Sequence, residues 1–81
     1  MPTIDKVDGF RVFFYSNEEG EPPHVHLKKG GCRMKVWLEP VSVASSIKCK
    51  AKESKAGETL VRAKRGTYLE EWIRYEQRKS R

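Results

Sequence analysis

His24 and His26 stand one residue apart in EPPHVHLKKGG, residues 21–31. On an extended backbone that spacing sends both imidazoles to the same face, about 6–7 Å apart by strand rise. Three uses fit such a pair. A metal would want a third or fourth ligand at a recognisable spacing, and neither a Cys-x-x-Cys nor a His-x-x-x-His partner accompanies it, so no metal site is assigned. Acid–base work on RNA is the second use. An imidazole titrating near neutrality can take a 2′-hydroxyl proton while a lysine or arginine stabilises the phosphate, which makes His24 and His26 the catalytic candidates. The sequence fixes no nucleophile or oxyanion site beside them. The third use is structural: Pro22 and Pro23 lock the entry to the strand, and one histidine bonds the preceding loop to hold Asn17 and Glu18. Asn17, Glu18, Pro22 and Pro23 then form a recognition loop.

A second group able to do chemistry is cationic. The net charge of +6 is uneven, since residues 1–31 carry four basic and five acidic side chains and residues 32–81 carry thirteen and six. Within residues 48–65, Lys48, Lys50, Lys52, Arg62, Lys64 and Arg65 are the candidate phosphate contacts, and Tyr68 or Trp72 would stack on a base if exposed. A patch of this kind suits a polyanion or an acidic protein.

The elements that must position these groups are short. GFRVFFYS, residues 9–16, alternates as a strand, with Phe10, Val12 and Phe14 on one face and Arg11, Phe13 and Tyr15 on the other. Residues 16–23 gather turn formers and read as a loop. HVHLKK and CRMKVWLE flank Gly30-Gly31, a tight-turn signal that pairs them antiparallel. In the second of these, Met34, Val36 and Leu38 share a face opposite Arg33, Lys35, Trp37 and Glu39. Pro40 ends the strand or marks a bulge. VSVASSIKCKAK reads as a weak edge strand or a loop.

The C-terminal third is helical in type. Residues 58–65 predict two turns terminated by Gly66, and Thr67 with Glu70 has the spacing of a capping box for a second helix. Leu69, Trp72 and Ile73 make its apolar face, with Tyr68 and Tyr75 on the flanks. Residues 76–81 are expected to fray. The economical solution is a single α+β domain over residues 1–81, an antiparallel meander of three or four strands covered on one face by a C-terminal helix.

Eighty-one residues allow one thin core and exclude a deep, enclosed active site. No apolar run reaches the ~18 residues of a membrane span and no signal peptide opens the chain, so a cytoplasmic protein with no membrane contact is expected. In a reducing compartment Cys32 and Cys49 would be thiols. No motif implies a cofactor.

Met1-Pro2-Thr3, an aromatic strand running into Asn17-Glu18, and Pro22-Pro23-His24-Val25-His26 together resemble a small bacterial family, domain of unknown function 4160. The likeness spans about the first half of the chain, and Trp72 in LEEWIRYE fits the family's terminal helix. Residues 41–66 depart from the pattern in their lysine density. The resemblance implies a small protein partner encoded by an adjacent gene, in an arrangement similar to toxin–antitoxin modules, and supplies no catalytic residues. The expectation is therefore a non-enzymatic protein-binding component of such a two-gene module. The alternative is an RNA-binding or RNA-cleaving protein that uses the HVH strand and the basic segment 48–65.

Overall fold

Burial alternates along residues 32–38: Cys32, Met34, Val36 and Leu38 are closed off from solvent, while Arg33 is exposed and Lys35 and Trp37 are half-buried. That period of two makes the segment a strand with one apolar side. The computed structural model describes residues 3–15 and 20–79, with side chains to Gln77. Five strands, β1 (Thr3–Val7), β2 (Phe10–Phe13), β3 (His24–Lys29), β4 (Cys32–Leu38) and β5 (Val41–Ile47), form one antiparallel sheet in the order β1-β2-β3-β4-β5. Two helices follow, α1 (Ala51–Ala63) and α2 (Arg65–Lys79). The α+β meander is as expected, with five strands instead of three or four and two covering helices instead of one.

Both helices lie on the same side of the sheet, α1 over β4 and β5 and α2 over β3 and β4. Between the layers sit Phe10, Val12, Phe14, Val25, Leu27, Met34, Val36 and Leu38 from the sheet side and Val61, Tyr68 and Trp72 from the helices. Each large apolar side chain buried there contributes about 1.5–3 kcal/mol. Gly57 lets α1 approach closely, since a Cβ at that position would stand 2.6 Å from Met34 Sδ and 3.0 Å from Leu27 Cδ1.

The turn between β3 and β4 is Gly30-Gly31, with Gly30 at φ 58°, the left-handed region open to glycine. It fixes a register in which Lys29 faces Cys32, Lys28 faces Arg33, His26 faces Lys35 and His24 faces Trp37.

Several expectations for the helical part are corrected. Helix α1 begins at Ala51, not at 58, because Gly57 packs into the sheet instead of breaking the helix. Its first turn is closed by the Glu53 carboxylate, which accepts the Lys50 backbone N–H at 3.0 Å. Only Lys64 separates α1 from α2, so Gly66 and Thr67 lie inside the second helix instead of ending one and capping the next. Helix α2 runs to Lys79, which makes residues 76–79 helical and not a frayed tail. Ile73 is 48% exposed while Tyr68 is buried, so the apolar stripe is rotated toward Tyr68 and Trp72.

Cys32 and Cys49, expected as thiols, are joined as a disulfide between the start of β4 and the residue before the α1 cap. No helix among the described residues is long and apolar enough to cross a membrane.

Candidate functional site on the open face of the sheet

With the helices on one side, the other side of the sheet carries the alternate residues of each strand. Strand register sorts them into rows. Lys6 faces Arg11, Arg11 faces Lys28, Lys28 faces Arg33, and Arg33 faces Ile47. Four cations thus stand side by side across four adjacent strands, neighbours about 4.8 Å apart by strand spacing. The next row is aromatic at its centre: Thr3, Phe13, His26, Lys35 and Ser45. The last row pairs His24 with Trp37 and Trp37 with Ser42.

Among the described residues, no carboxylate stands in the cationic row. Asp5 is the one acidic residue on any of the five strands, and it points to the helical side, where its Oδ2 accepts from Lys64 Nζ and from the Tyr68 hydroxyl, each at 2.9 Å. These bonds hold the Asp5 carboxyl below its ordinary value, the lysine contact being the largest cause, with partial burial acting in the opposite sense. Burial first, then the hydrogen bond to Asp5 and the Asp5 charge, push the Tyr68 hydroxyl far above its ordinary value. From the loop before β3, Glu21 forms an ion pair with Lys35, whose ammonium also lies 4.7 Å from the centre of the Trp37 ring.

Arg11, Phe13, Tyr15, His26, Lys28 and Arg33 line a pocket of about 220 Å³ on this face. Its rings hold one another in place. His26 stacks on Phe13 with centroids 5.7 Å apart and meets Tyr15 edge to face at 4.4 Å, while Phe13 and Tyr15 are 5.2 Å apart. The Arg11 guanidinium lies 5.2 Å from the Phe13 ring centre, and its Nε donates to the Thr3 hydroxyl at 2.8 Å. Phe13 is only 4% exposed and forms the floor, whereas Tyr15 is 36% exposed and stands at the rim.

The two histidines occupy different environments. His24 is fully buried: its Nδ1–H donates to the Pro22 carbonyl at 2.9 Å, and its ring contacts Trp72 at 4.8 Å and Trp37 at 5.5 Å. His26 is half-buried and lines the pocket. Their ring centres are 5.1 Å apart, and among the described residues no three His, Cys, Asp or Glu side chains gather as a metal site. The Pro23 carbonyl accepts the Leu38 N–H at 3.0 Å, which docks the loop on the end of β4. Asn17 and Glu18 lie outside the described residues.

The structure distributes the six candidate phosphate contacts instead of gathering them. Lys48 adjoins Arg33 and Ile47 at the end of the cationic row. Lys50 and Lys52 are exposed at the start of α1. Arg62 pairs with Glu58 at 2.8 Å on the exposed surface of α1, whereas Lys64 is bonded to Asp5 and Arg65 Nε donates to the Leu38 carbonyl at 2.7 Å, so these two tie the helical layer to the sheet.

Lys6, Arg11, Lys28 and Arg33 were not singled out by reading the chain in windows. Their signal lies across strands: with Gly30-Gly31 as the pivot, Lys28 and Arg33 must face each other.

A family model described as domain of unknown function (DUF4160) matches residues 9–73. No curated protein and no solved structure matches the chain.

Proposed function

The chain belongs to the DUF4160 family, whose description assigns no activity, and we propose from the open face of its sheet that it is a recognition module for an anionic ligand. The observation that carries the reading is the uninterrupted row Lys6, Arg11, Lys28 and Arg33. Like charges directly opposite one another in a sheet are destabilising, so a fold that lines up four of them bears a cost that a bound anion removes. The small partner protein implied by the family resemblance fits this reading if it presents acidic side chains. Recognition is favoured over cleavage by the histidines themselves: His24 is buried on Pro22 and Trp72, which leaves His26 as the member of the pair that lines the pocket.

The test is retention on an immobilised polyanion as salt is raised. The native chain should elute at clearly higher salt than the variant Arg11→Gln/Lys28→Gln/Arg33→Gln. A variant Lys50→Gln/Lys52→Gln, neutral at the start of α1, should elute close to the native chain once its smaller charge loss is allowed for. Equal loss per charge in both variants would show that net charge, and not this face, governs the binding.

A further inference from the structure

We infer that the ligand of this face is a single-stranded nucleic acid, with its phosphates along Lys6, Arg11, Lys28 and Arg33 and a base entering the adjoining pocket against Tyr15 and His26. The inference rests on the anion-binding reading and adds the class of ligand.

The added step comes from what lies beside the cations. An acidic protein surface brings carboxylates, and the face of an aromatic ring is electron-rich, so a carboxylate gains nothing from stacking on the faces of Tyr15, His26 or Phe13. A nucleotide brings both halves of the complement, a phosphate for the cations and a flat π-system for the rings. Here the two halves lie in consecutive rows of one sheet: Arg11 and Phe13 are alternate residues of β2, and Lys28 and His26 are alternate residues of β3. The pocket between them, about 220 Å³, is lined by members of both rows.

A duplex keeps its bases stacked inside and offers mainly its backbone to a flat face, so a pocket that takes a base selects for single strands. Glu21 sharpens the arrangement by pairing with Lys35, which offsets the one lysine of the aromatic row, whereas Lys6, Arg11, Lys28 and Arg33 stand together in the row beside it.

The cationic row spans about 14 Å over three strand spacings. Contact with three or four phosphates along it gives a plot of log affinity against log salt with a slope of about −2 to −3 for a single strand.

The experiment is fluorescence anisotropy on the full chain with four probes: a short labelled single-stranded oligoribonucleotide, an abasic oligomer with the same number of phosphates, inorganic polyphosphate as competitor, and a labelled poly-glutamate peptide. The expected result is that the oligoribonucleotide binds about tenfold more tightly than its abasic counterpart. That margin should vanish in Tyr15→Ala and survive in Tyr15→Phe, with the melting transition of each variant confirming that it folds. Equal affinity for the oligonucleotide, the abasic oligomer and polyphosphate would overturn the inference while leaving the anion-binding reading intact. Binding of poly-glutamate in preference to all three would overturn it in favour of a protein ligand. If none of the four binds, the anion-binding reading falls and the inference with it.

Discussion

Asp5 is the residue that joins the edge of the sheet to the helical layer. Its carboxylate accepts from Lys64, at the junction of α1 and α2, and from Tyr68, in the first turns of α2. Because its folded pKa lies below the ordinary carboxylate value, the stabilisation it supplies is fully present above a pH of about 4 and is lost as the pH falls through the folded value. Tyr68 acts at the other end of the scale: its raised pKa keeps the hydroxyl protonated as a donor, and that contribution begins to decline only when the pH rises past about 10. With a quarter of its side chain exposed, Asp5 is partly screened by water, and Asp5→Asn should cost on the order of 1–2 kcal/mol at neutral pH. Urea denaturation of native and variant chains checks this: the gap should narrow as the pH is lowered from about 5 to about 2, and a gap independent of pH would show that the charge on Asp5 is not what holds β1 to the helices.

At the scale of elements, α1 depends on having no side chain at Gly57. Glycine in a helix interior costs about 1 kcal/mol relative to alanine, so its place inside α1 needs a reason from packing. The sheet explains its presence, since the helix could not otherwise sit so close to Met34 and Leu27. Gly57→Val should therefore lower stability by roughly 1–3 kcal/mol despite valine's better helix propensity, and a urea midpoint equal to or above that of the native chain would disprove the tight contact. The same contrast governs how much could be read from the chain. Alternation in 9–16 and 32–39 places every side chain of β2 and β4 on its correct face: β4 buries one side only, and in β2 the apolar side of Phe10 and Val12 still alternates with Arg11 and Phe13, although Phe13 is itself buried. Strand β1 was not legible: TIDKV has just Ile4 and Val7 to mark it, and it pairs with β2 through an irregular register at Thr3/Asp5. Gly66 and Thr67 carried the local signals of a helix end and a helix start, yet packing of Tyr68 and Trp72 on the sheet carries α2 through both. Of the candidate site, the histidine pair and the basic character were legible along the chain. The cationic row was not, since it exists only between strands.

For the molecule as a whole, one helical layer over a five-stranded sheet leaves a core of limited depth, and the Cys32–Cys49 bridge supplements it. The bridge encloses β4 and β5 entirely and ends one residue before the α1 cap, so it ties the last two strands to the start of the helical layer. In the chain-entropy account, closing a loop of this size, a sequence separation of 17, stabilises the folded state by about 3 kcal/mol through its restriction of the unfolded chain. The native contacts do not require it. Cys32 is buried among the core side chains, where a free thiol packs as a small apolar group, and the sheet ladders on both sides are complete without the bond. Reduction should thus leave the fold in place at room temperature and lower its melting midpoint by on the order of 10–20 °C, about 4–8 °C per kcal/mol for a domain of this size. Circular dichroism melts with and without a thiol reductant, repeated on Cys32→Ser/Cys49→Ser, measure it. A shift of only a degree or two in both would mean that the two layers, and not the cross-link, supply nearly all of the stability, whereas loss of the folded spectrum at room temperature would mean that the core alone cannot hold the sheet that presents the cationic row.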